Sequence, residues 1–379
     1  MLKINEQRHK TECEKWGKYQ GKDVLPMWVA DSEFEAAEVI QSALATRLSH
    51  GVLGYPEVNA DFKNAVVSHC KALYGWEIEA DWVLALPGVV PGLNVSRALA
   101  IENGRGRGLS LEPVYPHLRK HAGMLNFSET LVPHKEVDGY WLIDFDALEA
   151  AIKPDTGVLL LCHPQNPLGK VYSPTELSRL AALAQKHDLL VCSDEIHCDL
   201  VLNGSQHQPF AMQNQDTLKR TITLMAASKT YNIAGLCCSF AIIADESLRK
   251  RFVRSKEGLV GTPNLFGLIA TIAALNEGEA WRQEHLAYLR ENAQMVYERI
   301  NATGVLKMRL PEATFLAWID ARGLNCESPQ KFFEEHGVGL SAGEDYGMKG
   351  FVRLNFGCGR EMLDKALCRI ENALAHLKG

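Results

Sequence analysis

The sequence predicts an α/β protein, with a largely parallel sheet covered by helices on both faces and a second, smaller α+β unit after it. Three observations carry this. Apolar runs of strand length alternate with amphipathic stretches through the middle of the chain. Those runs are continuously apolar rather than alternating, as strands buried on both faces require. From about residue 264 onward, long helical stretches instead surround two strand-like runs.

The elements follow in order. TGVLLLCHP (156–164) is an apolar run of strand length that breaks at Pro164. SPTELSRLAALAQKHD (173–188) predicts a helix, with Ser173 as N-cap, Pro174 at the first helical position and Glu176 completing a capping box. Leu177, Leu180, Ala181 and Ala184 make its apolar face. DLLVCSD (188–194), RTITLMAAS (220–228) and LCCSFAII (236–243) are further strands. Residues 264–303 predict helix for most of their length. ATFLAWID (313–320), a helix around 328–337, FVRLNFG (351–357) and a C-terminal helix over 361–377 complete the second unit. The first 45 residues are too few to form a domain alone and are expected to pack onto one of the two. This places a large unit at 46–275 and a small one at 1–45 with 276–379.

Composition excludes several classes. With 379 residues, 46% hydrophobic and 23% charged, the chain can bury a large core and is neither disordered nor collagen-like. Its formal net charge is −6, so nucleic acid is a poor partner. No stretch reaches the ~18 apolar residues needed to span a bilayer, and the start is polar, without a signal-type apolar region. The ten cysteines form no C-x-x-C pair, and several sit inside apolar runs, as expected of thiols in a reducing cytoplasm. GRGRG at 104–108 lacks dinucleotide-binding spacing. No H-E-x-x-H is present, and His117 and His121 are expected on a solvated helix face, so no metal site is expected.

In open α/β sheets, ligands bind outside the carboxyl ends of the strands. There the chain carries Asn166 after the first run, Asp194 and His197 after the second, and Ser228 and Lys229 after the third. Alone, each has a plainer reading: an aspartate after a strand is commonly a helix N-cap, and a lysine is commonly solvated. Together, an amide, a carboxylate and an amine suit pyridoxal phosphate. The amine can form a Schiff base with the cofactor aldehyde, and the carboxylate can keep its pyridine nitrogen protonated. The segment LALPGVVPGLNVSRALA (84–100) supplies a Pro-Gly turn into a helix start, which suits a phosphate.

NPLG at 166–169, SDEIH at 193–197 and SKTYNIAGL at 228–236 resemble fold-type I pyridoxal-phosphate enzymes of the aspartate aminotransferase superfamily, class I/II. KWGKY near residue 15, LPMWVADSEFEA (25–36), HGVLGYPE (50–57), SDEIHCDLVL and FVRLNFGC sharpen the likeness to the MalY/PatB-type C–S lyases, the cystathionine β-lyases. The resemblance implies a mostly parallel seven-stranded sheet in the large unit. It also implies residue roles. Lys229 is the Schiff-base lysine and Cα proton carrier, Asp194 the pyridinium partner and Tyr115 the aromatic on the cofactor ring. Asn166 contacts the 3-oxygen, and His197 hydrogen-bonds near the ring. Ser228 with the N–H groups of Gly88 and Val89 forms the phosphate cup. Arg353 clamps the substrate carboxylate, a bidentate task for which lysine is a poor substitute. Tyr55 reaches the neighbouring subunit's phosphate, so a homodimer is implied, with Asn166, Tyr55 and Ala30 joining Arg353 around the substrate. The loops Ala30–Phe34 and Gly261–Asn264 are expected to line the thiol side.

Transamination and β-elimination begin alike, and the shared motifs do not separate them. One departure does. Many aminotransferases of the superfamily carry a phosphate-binding arginine eight residues after the lysine, where this chain has Cys237. The MalY-type branch resembles this chain in lacking it. The expected activity is therefore α,β-elimination of L-cystathionine, or another cysteine S-conjugate, to homocysteine or another thiol, pyruvate and ammonia. An aminotransferase, or a member with an added protein-binding regulatory role, is the alternative.

Overall fold

The computed structural model describes residues 2–5, 7–120 and 126–375. In chain order, helices α1 (Glu38–Ser49) and α2 (Ala60–Tyr74) precede strand β1 (Val83–Leu86), α3 (Val89–Glu102), β2 (Arg107–Glu112), β3 (Ser128–Pro133) and β4 (Thr156–Cys162). Then come α4 (Pro174–Lys186), β5 (Leu190–Asp194), β6 (Thr221–Met225) and β7 (Ser239–Ile242). These seven strands form one sheet in the order β1-β7-β6-β5-β4-β2-β3. Only β7 runs antiparallel to its neighbours, so the expected mostly parallel seven-stranded sheet is present.

Every residue of β4 and β6 is buried, which explains why their sequences do not alternate. The two faces of β4 pack on different helices. Val158, Leu160 and Cys162 join Leu93 and Leu99 of α3, whereas Leu159 and Leu161 join Leu177 and Leu180 of α4. α4 starts where its capping box directs. The Ser173 hydroxyl accepts the Glu176 N–H at 3.2 Å, and the Glu176 carboxylate accepts the Ser173 N–H at 2.9 Å.

The main elements that follow are α5 (Leu265–Glu277), α6 (Glu279–Ala302), β8 (Leu316–Asp320), β9 (Ser341–Ala342), β10 (Phe351–Asn355) and α7 (Arg360–Ala375), with the short helix expected around 328–337 present as Pro329–Glu335. The single long helical stretch expected over 264–303 is two helices that meet at Gly278. A Cβ there would lie 2.5 Å from both the Ala274 carbonyl oxygen and the Tyr231 ring, so only glycine permits this approach. The strand expected from residue 236 begins at Ser239 instead, because Ala234–Leu236 forms a 3₁₀ turn and Cys237 turns left-handed at φ 48°. The last two residues of the expected C-terminal helix, 376–377, lie outside the described residues.

β8, β10 and β9 form a three-stranded antiparallel sheet. Its core joins Leu316 and Leu354 to Leu289 and Val296 of α6 and Leu363 and Ile370 of α7. The N-terminal stretch is tied here too, since Leu25–Pro26 pairs in parallel with Val338–Gly339. Among the described residues, no helix is long and apolar enough to cross a membrane. All ten cysteines are free.

Leu160, at the centre of β4, is 1% exposed within the core shared with α3. Leu160→Ala should lower stability by ~3 kcal/mol, the usual cost of a buried cavity, read from urea unfolding followed by circular dichroism. A loss below ~1 kcal/mol would show that the sheet's core tolerates the cavity.

Candidate active site

Five parallel strands end on one rim, and each delivers chemistry there. β1 leads through Pro87 into Gly88 and α3. Tyr115 follows β2, and Asn166 follows β4. Asp194 ends β5, with His197 a turn later, and Ser228 and Lys229 follow β6. Ala30, Gly88, Val89, Tyr115, Asn166, Asp194, His197, Ser228 and Lys229 all line one cavity of about 210 Å³.

The start of α3 faces this cavity through Val89 and Val90. Gly88 precedes it at φ 145°, a conformation restricted in practice to glycine. Space is not the reason for glycine here, since an added Cβ would meet nothing closer than 3.7 Å. No side chain caps the helix and no acidic residue lies in its first turn, so its free N–H groups and positive end are left for an anion. Ser228 and Ser239 lie beside them, and so does Cys237.

Burial sets the charge state of the inner groups. The Lys229 amine donates to the Ala30 carbonyl at 2.7 Å. Desolvation lowers its pKa, partly countered by Asp31 and Asp194, so the neutral amine is favoured more than in an ordinary lysine. Asp194 is 2% exposed, and its Oδ1 accepts the Ile196 N–H at 3.2 Å. Burial pushes its carboxyl up to about 7. His197 is pushed down to about 3 by burial, then by Lys229 and Arg353, so it is neutral, and its buried Nδ1 has no hydrogen-bond partner among the described residues. Burial, then the Asp194 charge, pushes the Tyr115 phenol up to about 12.

Arg353, on β10, reaches the rim from the small sheet. Its Nη1 donates to Asn166 Oδ1 at 2.9 Å, and its Nη2 donates to the Trp28 carbonyl at 2.7 Å and to Ser341 Oγ at 3.3 Å. The guanidinium also lies over the Tyr346 ring at 4.8 Å. A guanidinium only donates, so the Asn166 oxygen faces it and the amide NH₂ is left to donate to an acceptor in the cavity. Arg353 Nε is buried without a partner among the described residues.

Not every expected residue converges: Arg353 bonds to Asn166 but is not itself among the residues that line the cavity. Tyr55 is 107% exposed and lies outside the cavity. Of the loop Ala30–Phe34, only Ala30 lines it. The loop Gly261–Asn264 is not part of the lining, because Asn264 is used as the N-cap of α5, accepting the Gly267 N–H at 2.9 Å and donating to the Leu236 carbonyl at 2.6 Å. His117 is exposed on a short helix, Pro116–Arg119, and His121 lies outside the described residues. Conversely, the holders of Arg353, namely Trp28 through its backbone, Ser341 and Tyr346, were not among the expected site residues, although Trp28 lies within LPMWVADSEFEA. A backbone carbonyl leaves no residue-type signal.

This donor set fits pyridoxal phosphate. A buried carboxylate with a raised pKa is relieved by a cation such as a protonated ring nitrogen. A poised amine suits an aldehyde, the free amide NH₂ suits a phenolate oxygen, and the uncapped helix start with Ser228 suits a phosphate.

Asp194 also yields a pH prediction for the cofactor-free protein. Its folded pKa, about 7, lies above the unfolded carboxylate value of ~3.9, so stability is fully present below ~4 and is lost as pH rises through about 7. Asp194→Asn removes this cost. By chemical denaturation, it should be more stable than the wild type at pH 8 by up to ~4 kcal/mol, with the gap closing towards pH 4. A pH-independent gap would refute the buried-carboxylate account.

Comparison with known proteins agrees with this geometry. The family model described as aminotransferase class I and II matches residues 28–370. Cystathionine beta-lyase PatB of Bacillus subtilis (strain 168) is 36% identical, over 98% of this chain and 98% of its own. A crystal structure of OvoB superposes with a TM-score of 0.94 at 40% identity, covering 98% of each chain. The pyridoxal-phosphate-bound C–S lyase from Staphylococcus hominis superposes with a TM-score of 0.89 at 31% identity, covering 98% of this chain and 97% of that one. With a match that runs almost from end to end and a cavity whose donors suit the same cofactor, the chain belongs to the class I and II aminotransferase family of pyridoxal-phosphate-dependent proteins.

Proposed function

We propose that the protein is a pyridoxal-phosphate-dependent carbon–sulfur lyase. It cleaves the Cβ–S bond of L-cystathionine, or of another cysteine S-conjugate, and with water releases the thiol, pyruvate and ammonia. The observation that carries this is the placement of the Lys229 amine, the Asp194 carboxylate and the Asn166 amide around one cavity, with Arg353 hydrogen-bonded to that amide. Its relative is named for that reaction.

Bound in the cavity, pyridoxal phosphate supplies an electron sink for charge developing at the substrate Cα. The chain's residues do the rest. Arg353 binds the substrate α-carboxylate and orients the Cα–H bond, with Asn166 and Ala30 beside it. Lys229, with its lowered pKa, accepts the Cα proton as the neutral amine and returns it where needed. Asp194 holds a proton on the ring nitrogen by charge pairing. Asn166 donates to the ring's 3-oxygen, His197 hydrogen-bonds close by, and Tyr115 lies against the ring. The N–H groups of Gly88 and Val89 and the Ser228 hydroxyl would hold the phosphate. Cys237, in place of an arginine, leaves that end with less positive charge.

The working form in this proposal is a homodimer, with Tyr55 extending to the phosphate of the neighbouring subunit. In support, Tyr55 is fully exposed on an extended segment with Val52 and Leu53, at 62% and 57%, and with Leu48 before it. These are groups a second copy would cover. Residues 46–275 form the cofactor-binding unit, and 1–45 with 276–379 form the small unit that brings Arg353. The ten free thiols suit the cytoplasm.

Product analysis tests the reaction. With L-cystathionine, pyruvate and free thiol should appear in equal amounts, and Lys229→Ala should lower the rate by at least ~1,000-fold. A keto acid that retains the intact side chain would establish transamination instead. Arg353→Lys should raise KM by ~10–100-fold, more than it lowers kcat, because one ammonium cannot replace the two-pronged donor. For the assembly, Tyr55→Ala should weaken cofactor retention on sizing columns. A fully active monomer would overturn the shared site.

A further inference from the structure

Two stretches marked by the sequence, KWGKY and LPMWVADSEFEA, contribute only Ala30 to the cavity lining, yet the structure joins them beside it. Residues Met27–Ser32 form a strap, and every one of its carbonyls accepts a hydrogen bond from another part of the chain. The Met27 carbonyl takes the Asn355 N–H at 2.9 Å, and the Trp28 carbonyl takes Arg353 Nη2 at 2.7 Å. Asn355 Nδ2 donates to the carbonyls of Val29 and Asp31. The Ala30 carbonyl takes Lys229 Nζ, and the Ser32 carbonyl takes Asn232 Nδ2 at 2.9 Å and Arg8 Nη1 at 2.7 Å. Two carbonyls, two residues apart, therefore hold the amine and the guanidinium on which the site depends.

The strap is backed by a buried ion network. The Lys15 side chain is 0% exposed, with its ammonium 2.7 Å from Glu33 Oε1 and 3.5 Å from Asp31 Oδ1. Arg8 pairs with Asp31 and, at 2.9 Å, with Glu33. Trp16 Nε1 donates to the other Glu33 oxygen at 3.2 Å, and Trp28 Nε1 donates to the Lys15 carbonyl at 3.1 Å. Two cations thus balance two carboxylates. A lysine enclosed in this way is held by its partners, and removal of one partner leaves a buried charge uncompensated.

We propose that Lys15 is a positioning residue for the active site: with Arg8, its ammonium pins Asp31 and Glu33, fixes the strap that holds Lys229 and Arg353, and offsets the negative charge the strap would otherwise present to the Lys229 amine. This rests on the reading of Lys229 as the reactive amine. The charged groups facing Lys229 are Asp31 and Glu14 from the N-terminal stretch, Asp194 from β5 and Arg353 from β10, with neutral His197 alongside. Among them, Asp31 favours the charged amine most. Loss of Lys15 adds one uncompensated negative charge beside that amine, which raises its pKa.

The test is competitive acetylation of the cofactor-free protein with acetic anhydride between pH 6 and 10. The Lys229 peptide is followed by mass spectrometry against exposed Lys331. In the wild type, Lys229 should label at lower pH than Lys331. In Lys15→Met the Lys229 profile should move to higher pH, with labelling at pH 8 down by ~3-fold or more, the effect of a half-unit shift. Lys15→Met/Glu33→Gln, which restores the balance of charge, should move it back. A folded Lys15→Met protein with an unchanged Lys229 profile overturns the proposal. If Lys15→Met does not fold, Arg8→Gln should produce the same upward shift, and its absence overturns the proposal equally. A wild-type Lys229 that titrates like Lys331 would instead overturn the reading of the cavity itself, and this proposal with it.

Discussion

One buried hydrogen bond, from the Arg353 guanidinium to the Asn166 amide oxygen, joins the small sheet to the large one at the rim of the cavity. Much else follows from it. It settles which end of the Asn166 amide faces the cavity, since arginine cannot accept. It also makes the register of the small sheet a functional matter. Arg353 stands opposite Trp318 on one side and Ser341 on the other. A slip of one residue would turn the guanidinium to the opposite face. The antiparallel ladder, the aromatic layer of Trp318, Tyr346 and Phe351, and the Trp28 carbonyl all hold that one side chain in place.

The same low dielectric that makes this bond persistent controls the ionisable groups around it. Lys229 is pushed towards the neutral amine, Asp194 towards the acid and His197 towards the neutral ring, and desolvation is the largest cause in each case. An enzyme that must move a proton near neutral pH needs groups poised between states, and burial supplies this without a dedicated partner for each. The opposite solution operates a few residues away. There Lys15 and Glu33 are buried, Arg8 and Asp31 are partly so, and two cations meet two carboxylates. The cavity is electrostatically unfinished, whereas the strap behind it is complete. That difference separates a binding site from its support.

Cys237 shows how one position bears on both levels. Its left-handed backbone, at φ 48°, delays the start of β7, and the residue lines the cavity together with Gly88, Val89 and Ser228. A bulky cation there would add positive charge to an anion site that this chain builds from a helix start and hydroxyls. The likeness to proteins named as C–S lyases and the absence of that arginine agree.

By itself, the sequence determined the alternation of buried strands and amphipathic helices, the capping box at Ser173, and the amide, carboxylate and amine at three strand ends. These are local signals, carried by periodicity and residue type, and a parallel sheet brings its strand ends to one rim whatever the details. Only the tertiary structure decided the rest. At the break, Gly278 leaves room for the close approach of Tyr231, which no helical periodicity encodes. Asn264 proved to be a helix cap and not a cavity wall, because its amide is consumed locally. The Trp28 and Ala30 carbonyls hold the guanidinium and the amine through backbone atoms that every residue shares, so the stretch 25–36 was visible in the sequence but this task of its carbonyls was not. The burial that sets the charge of Asp194 and Lys229 likewise exists only once distant segments have closed over them.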